Sequence, residues 1–178
     1  VKELFYGLLK EADIFMENMV WLDKLGIQFW RTDHGWMKAD IMEDCHVIDA
    51  CLNATVCKNL FLCNRQKTNF YLLMMPGDKP FKTKELSHQL GIARLSFASP
   101  EDMEQYLDCT PGSSSIMGLA NDAENKVQLL MDEDIKAGEY LGCHPCINTS
   151  SLKLRTADVL ETFLPAAVSY THLRAHET

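Results

Sequence analysis

The sequence predicts an α+β fold in a single domain. Strand-like segments occur as one hairpin and as isolated strands between short helical segments at irregular intervals, an arrangement typical of α+β rather than doubly wound proteins. The chain has 178 residues, of which 47% are hydrophobic, and this is enough for one domain with a sizeable core. Every apolar run is shorter than the roughly 20 residues that cross a bilayer. We therefore expect a cytoplasmic protein with no membrane partner.

Local patterns define the elements of the first half of the chain. Residues 2–12 carry apolar side chains at helical spacing, which predicts an N-terminal helix. Residues 58–78 predict two strands joined by a polar turn at 66–69. Residues 83–91 predict a helix that ends at its glycine, Gly91.

The second half of the chain contains similar signals. Ser99 has the character of a helix N-cap, and Pro100 suits the first helical position after it. Beyond this helix we predict a strand, a short helix, a second strand and a closing helix with Thr156 as its N-cap, at residues 126–132, 132–142, 151–156 and 156–164.

We divide the chain into three parts. Residues 1–21 are expected to form an N-terminal helical segment, and residues 22–167 the domain itself. Residues 168–178 read VSYTHLRAHET, a peptide that matches the translation of a sequencing adapter, so we expect this stretch to be an artefact. The chain also begins at Val1 rather than methionine, so both ends resemble the edges of a fragment.

Charge is distributed unevenly around a net value of −8. Between Lys58 and Arg94, seven basic residues against two acidic ones give +5, whereas ten acidic residues against two basic ones give −8 between Leu95 and Tyr140. A protein that binds a long nucleic acid normally has a basic domain, so we do not expect DNA as a partner. A protein that contacts only the end of an RNA makes few phosphate contacts, and the basic window is where we expect them.

Cys143 and Cys146 form a CxxC pattern with His144 and Pro145 between them. A redox dithiol of this kind normally begins a helix, whose N-terminus lowers the thiol pKa, but a strand-like segment follows here. A zinc site would need two further ligands at a recognisable spacing, and the sequence offers none. We therefore predict no metal and no cofactor. A thiol oxidoreductase is the less favoured alternative function.

Five motifs in a fixed order carry a family resemblance. They are KNLFLCN from Lys58, PGDK from Pro76, RLSFASPE from Arg94, TPGSSSIMGLAND from Thr110 and HPCINT from His144. Together they resemble the YbaK/ProX-like aminoacyl-tRNA editing domains, specifically the freestanding branch associated with prolyl-tRNA synthetase, over residues 22–167.

The resemblance implies a fold, a reaction and partners. The implied fold is a mixed, mostly antiparallel curved sheet flanked by helices. The implied reaction is deacylation of mischarged tRNA, most directly removal of alanine from the tRNA for proline, and the partners are the tRNA acceptor end and prolyl-tRNA synthetase. A non-catalytic module that binds the tRNA 3′ end or the synthetase is the alternative.

The resemblance also implies the site residues. Lys58 would hold the phosphate of the terminal adenosine or the ester end as a point charge. Gly112 would let backbone N–H groups approach the oxyanion of the tetrahedral intermediate, and His144 would bind the substrate amine or ribose hydroxyl, or orient water. The residues expected to bind substrate are Asn59, Ser113, Ser114, Ser115, Asn148 and Thr149.

Three further features of these motifs bear on the mechanism. GSSSIMG lacks the GxSxG pattern of a serine nucleophile, so we favour attack by water, assisted by the ribose hydroxyl as the resemblance implies. Ile116 replaces the proline usual in the family, and Met117 replaces an aromatic residue, which puts the rigidity of the loop and the alanine specificity in question. His34 is expected to serve in packing or in contact with tRNA.

Overall fold

The structure is a computed structural model that describes residues 2–34, 48, 50–54 and 56–167. The first elements are α1 (Lys2–Lys24), β1 (Phe29–Asp33), β2 (Cys57–Cys63), β3 (Phe70–Pro76), α2 (Thr83–Gln89) and β4 (Ser96–Phe97). They are followed by α3 (Pro100–Leu107), a 3₁₀ helix (Ile116–Asn121), β5 (Val127–Met131), α4 (Glu133–Ala137), β6 (Tyr140–Cys143) and β7 (Ser150–Arg155). The last helix consists of α5 (Thr156–Asp158), a π-helical turn (Val159–Phe163) and α6 (Leu164–Ala167).

The strands form two sheets that meet at one point. One sheet has the order β1-β7-β6 and is antiparallel throughout, and the other has the order β4-β2-β3-β5. In the second sheet only the β3–β5 pair is parallel. An isolated parallel bridge between Val56 and Gly142 joins the sheets, and we call this junction the seam. The predicted α+β fold with mixed, mostly antiparallel strands is confirmed.

The four-stranded sheet has an apolar layer on each face. The larger core includes Phe61, Leu72 and Leu129 from its strands, together with Met117 and Phe163 from the helices packed against them. The smaller core lies on the opposite face and is formed by Leu62, Tyr71, Leu73, Met75, Leu95 and Leu130. Both faces of β2 and β3 are therefore covered, which explains their nearly continuous apolar sequence.

Short-range signals predicted several elements correctly. The hairpin of β2 and β3 is present, and Asn64 organises its turn by accepting hydrogen bonds from the N–H groups of Thr68 and Asn69. Helix α2 is followed by Gly91, whose φ of +66° is readily available to glycine. Helix α3 begins at Pro100 after Ser99, which forms a reciprocal capping box with Asp102.

Two predictions about the second half of the chain were wrong. The segment 132–142 is helical only to Ala137, because Gly138 adopts an extended conformation and Tyr140–Cys143 pairs with β7 as a strand. Thr156 is not the N-cap of the closing helix. Its hydroxyl is buried without a hydrogen-bond partner among the described residues, and Arg155 occupies the cap position.

The two terminal helices differ from what their sequences predict. Helix α1 extends to Lys24 and so passes the boundary placed at residue 21, with Leu22 fully buried in the larger core. The last helix widens to a π turn just before Pro165, which cannot donate a helical hydrogen bond and whose ring crowds the preceding turn. None of the helices within the described residues is both long enough and apolar enough to span a bilayer. The stretch 168–178 lies outside the described residues.

Candidate active site

The glycine motif begins with a tight turn. The N–H group of Ser113 donates to the carbonyl oxygen of Thr110 over 2.9 Å, and Gly112 has a φ of +89°. Proline at the second position and a glycine with positive φ at the third are the signature of a type II β-turn. The hydroxyl of Ser113 closes the same turn by donating to the Thr110 carbonyl oxygen over 2.9 Å. Ser113 is therefore used within the loop, and its N–H group does not join an oxyanion site.

The residues after the turn present backbone donors next to the core. The N–H groups of Ser114 and Ser115 have no acceptor among the described residues, whereas the N–H of Met117 is capped by the Ser115 hydroxyl at 3.1 Å. Ile116 and Met117 are fully buried. The loop is thus anchored by packing at the position where the family usually has proline, and the N–H groups of Ser114 and Ser115 are candidate oxyanion donors.

A buried hydroxyl links this loop to the histidine motif. The Oγ atom of Ser115, which is fully buried, donates a hydrogen bond to the carbonyl oxygen of His144. Two motifs that are 29 residues apart in sequence are therefore held side by side. The loop and His144, both predicted to contribute site residues, are therefore neighbours in the fold.

The imidazole of His144 has a defined protonation pattern. Its Nδ1 atom lies 3.0 Å from the carbonyl oxygen of Ser150, which can only accept, so Nδ1 carries the proton. Burial lowers the pKa of His144, and the proximity of His34 lowers it further. The ring is consequently neutral at pH 7, with Nε2 as its proton acceptor.

His34 and Ser151 complete the surroundings of this ring. The His34 and His144 ring centroids are 6.2 Å apart, and the Ser151 hydroxyl lies 3.0 Å from His34 Nε2 and 3.3 Å from His144 Nδ1. The backbone N–H group of His34 also donates to the carbonyl oxygen of Thr149 at 3.1 Å. Ser150 and Ser151 were not predicted as site residues, because they read simply as the start of a strand.

Lys58 is the second residue of β2 and is held by a neighbouring turn. Its Nζ atom donates to the carbonyl oxygen of Gly77 at 3.2 Å and to that of Lys79. An ammonium group has three donors, so one is left for a ligand. The PGDK motif therefore supplies the carbonyl groups that orient the lysine predicted to bind substrate.

Strand geometry separates Lys58 from Asn59. Asn59 lies on the face of β2 that carries Phe61 and the larger core, while Lys58 lies on the other face with its cross-strand neighbour Met75. Lys58 lies two residues after Val56, and His144 lies two residues after Gly142. Because the bridge between Val56 and Gly142 is parallel, the chain runs in the same direction through both segments. The seam thus brings the lysine and histidine motifs together.

Two buried polar atoms of the predicted site have no protein partner. Among the described residues, Asn59 Oδ1 and Ser114 Oγ are buried without a hydrogen bond, and the remaining atom of this kind belongs to Thr156. An unsatisfied buried polar group costs about 1–3 kcal/mol, so it is a natural place for a ligand to bind. Of the other predicted residues, Thr149 lines a cavity of about 300 Å³ between α1 and β1, and Asn148 lies in the β6–β7 connection.

The cysteines of the CxxC pattern are core residues. Cys143 and Cys146 are buried, and both belong to the larger core. Burial raises the pKa of Cys143, and a hydrogen bond with Cys109 together with burial raises that of Cys146. Neither thiol forms the reactive thiolate at neutral pH, which weighs against redox chemistry. Across the described part of the chain, His, Cys, Asp and Glu side chains form no group of three able to hold a metal ion.

Part of the basic window is neutralised by carboxylates within the fold. Lys67 pairs with Asp102, and Lys79 pairs with both Asp132 and Asp134, at distances of 2.7 to 2.9 Å. Each of these acids comes from the acidic window, so these ion pairs neutralise part of the charge of the two windows. The expectation that a polyanion would meet this window loses its basis for these two lysines.

Comparisons with known proteins identify the family of this chain. The model of the aminoacyl-tRNA editing domain family matches residues 39–162. The prolyl-tRNA editing protein ProX of Acetoanaerobium sticklandii is 28% identical over 138 residues, covering 78% of this chain and 83% of the relative. Prolyl-tRNA synthetase associated domain-containing protein 1 of Danio rerio is 30% identical over 111 residues, covering 61% and 60%.

Solved structures share the fold. One described as a candidate trans-editing enzyme for prolyl tRNA synthetase superposes with a TM-score of 0.61 at 13% identity, covering 78% of this chain and 84% of that one. At such low identity the likeness concerns the fold alone. The family match, by contrast, spans the glycine loop, Lys58 and His144 together. The chain therefore belongs to the aminoacyl-tRNA editing domain family.

Proposed function

We propose that this protein is a trans-editing deacylase that hydrolyses the ester of mischarged aminoacyl-tRNA, with alanyl-tRNA for proline as its substrate. The hydrogen bond between Ser115 and the His144 carbonyl carries the proposal, because it holds the loop with the candidate oxyanion donors against the backbone of His144, whose imidazole is neutral. Family membership and the name of the ProX relative support the same reaction. We assign the activity to residues 22–167.

The site contains the groups that ester hydrolysis requires. Water, assisted by the neighbouring ribose hydroxyl, attacks the carbonyl carbon of the aminoacyl ester, and the N–H groups of Ser114 and Ser115 stabilise the developing oxyanion. His144 Nε2 accepts a proton from the attacking water or a hydrogen bond from the substrate. The C–O bond to the ribose then breaks, which releases the amino acid and a tRNA with a free terminal hydroxyl.

Lys58 and the unsatisfied polar atoms bind the substrate. The third donor of the Lys58 ammonium group would hold a phosphate or the ester end. Asn59 Oδ1 would accept a hydrogen bond from the amino acid or ribose, and Ser114 Oγ would accept or donate one. A synthetase pocket built for proline discriminates against a smaller amino acid by only about 1–3 kcal/mol, so a second site is needed to remove alanine. Prolyl-tRNA synthetase is the proposed source of the mischarged tRNA.

A deacylation panel tests the proposal. Alanyl-, prolyl- and cysteinyl-tRNA are incubated with the protein, and release of each amino acid is followed over time. We expect release of alanine above background and little release of proline. No release from any of the three would refute the enzyme and leave the non-catalytic binding module.

A matched pair of lysine variants tests the site. Lys58→Ala removes a charged hydrogen-bond donor worth about 1.5–3 kcal/mol, so we expect kcat/KM to fall about 10- to 100-fold. Lys84→Ala removes an exposed lysine of the same basic window and is expected to leave kcat/KM unchanged. Full activity in Lys58→Ala would show that the substrate is bound elsewhere.

A further inference from the structure

The outer face of the β1-β7-β6 sheet carries an exposed aromatic and cationic cluster. Trp30 is 45% exposed, and its ring contacts that of Tyr140 edge to face at 5.6 Å. Lys153 Nζ lies 4.5 Å from the Tyr140 ring centroid and 5.4 Å from that of Trp30. Arg155 is exposed and pairs with Tyr140 across the sheet, which places it on the same face. We call these four residues the Trp30 cluster.

The Trp30 cluster is continuous with the candidate active site. Trp30 pairs with Lys153, and the next outward-facing pair along the same strands is Thr32 with Ser151. Ser151 in turn contacts the rings of His34 and His144. Gly142 pairs with Lys153, so it lies in the same row of the sheet as Trp30 and adds no side chain to the cluster.

The charge of this face suits a polyanion. The outward-facing residues of the three strands include two cations and no acid, because Asp33 lies on the opposite face with Arg31. The lysine window, in contrast, has Lys67 and Lys79 paired with carboxylates. Exposed aromatic rings beside Lys and Arg on an open sheet are the combination that binds unpaired nucleotides, by stacking of a base and contact with a phosphate.

We propose that the Trp30 cluster is a binding site for an unpaired nucleotide of the tRNA acceptor end, one that precedes the terminal adenosine. A base stacks on the exposed part of the Trp30 ring, while Lys153 and Arg155 contact the phosphates on either side of it. This inference rests on the proposed function for the identity of the RNA. It assigns a second contact that positions the 3′ end, separate from the hydrolytic groups.

Binding of uncharged RNA tests the cluster without requiring catalysis. The probe is a fluorescent RNA hairpin with an acceptor-stem duplex and an unpaired 3′ end that terminates in CCA, and the same hairpin trimmed to a blunt end is the control probe. Fluorescence anisotropy gives Kd for each. Stacking is worth about 1–3 kcal/mol per base, so we expect Trp30→Ala to weaken binding of the unpaired end about tenfold.

Matched variants separate stacking from loss of structure. Trp30→Phe keeps an aromatic ring and is expected to bind nearly as well as the parent chain, whereas Phe97→Ala removes a 60% exposed ring from the other sheet and is expected to have no effect. Lys153→Gln should reduce the slope of log Kd against log salt by about 0.7, the value for one phosphate contact on a single strand. If Trp30→Ala does not fold, Tyr140→Leu and Lys153→Gln together carry the test.

The outcomes distinguish this inference from the deacylase proposal. Unchanged affinity of a folded Trp30→Ala chain for the unpaired end, or an equal loss for the blunt hairpin, would overturn the cluster even in an active deacylase. If Tyr140→Leu and Lys153→Gln carry the test, unchanged affinity in both would do the same. A tenfold loss confined to the unpaired end would establish the cluster even if the parent chain released no amino acid.

Discussion

Replacing Gly112 by alanine tests the glycine loop most directly. Gly112 has a φ of +89° at the third position of its turn, a conformation that costs an L-residue about 1–2 kcal/mol. Relief of this strain requires the turn to open. Opening displaces the residues that follow, Ser114 and Ser115, whose N–H groups are the proposed oxyanion donors. Loss of one oxyanion donor typically lowers kcat by about 100- to 1,000-fold, so we expect a fall of at least about 100-fold.

Gly91→Ala is the matched control for this change. Gly91 has a φ of +66° at the end of α2, and a Cβ atom there would meet nothing within 4 Å. The cost is again about 1–2 kcal/mol of backbone strain, but no part of the candidate site follows. Both variants should therefore lose similar stability.

The assays are urea unfolding for stability and single-turnover deacylation of alanyl-tRNA for the chemical step. We expect equal shifts in the free energy of unfolding, with a large fall in rate for Gly112→Ala alone. If Gly112→Ala shows the expected decrease in the free energy of unfolding but deacylates at the parent rate, the loop does not stabilise the oxyanion. If both variants lose activity in parallel, the effect is one of stability.

Three further predictions concern neighbouring residues. Ser115→Ala leaves the His144 carbonyl and the Met117 N–H without their buried partner. We therefore expect about 1–3 kcal/mol of destabilisation by urea unfolding and a lower rate of deacylation. An unchanged rate of deacylation would refute the link between the motifs. The pKa of His144 is lower in the folded than in the unfolded chain, so the contribution of His144 to stability is complete above about pH 6.5 and is lost on acidification. We therefore expect the unfolding free energy of His144→Gln to fall less than that of the parent chain between about pH 7 and 5. An identical pH profile for the two chains would contradict this. Cys143→Ala and Cys146→Ala should keep the parent kcat with or without a reducing agent, and a selective loss in either would revive thiol chemistry.

Local chemistry made part of the fold predictable. The capping box of Ser99 and the polar turn of the hairpin depend on residues a few positions apart, so their signals are complete within a short stretch of sequence. Strand β6 was missed because its stability comes from pairing with β7 and not from its own composition. Thr156 was assigned as a cap from its type alone, but its side chain is enclosed by the core.

The candidate site was predictable in its parts but not in its assembly. The motifs identified Lys58, Gly112 and His144, yet no sequence pattern indicated that Ser115 would reach the His144 carbonyl. The neutralisation of Lys67 and Lys79 was equally hidden, because their partners lie 35 to 55 residues away. The positions of Ser151 and Trp30 near the candidate site depend on the pairing of β1 with β7, which the sequence did not predict.

The seam has a mechanical consequence. Among the described residues the two sheets share one bridge, so they can rotate slightly against each other without breaking a strand ladder, whereas a continuous sheet would resist the same motion. Lys58 belongs to one sheet and His144 follows a strand of the other, so such a rotation changes the space between them. Substitutions in the residues packed around Val56 and Gly142 are therefore expected to change the distance between Lys58 and His144.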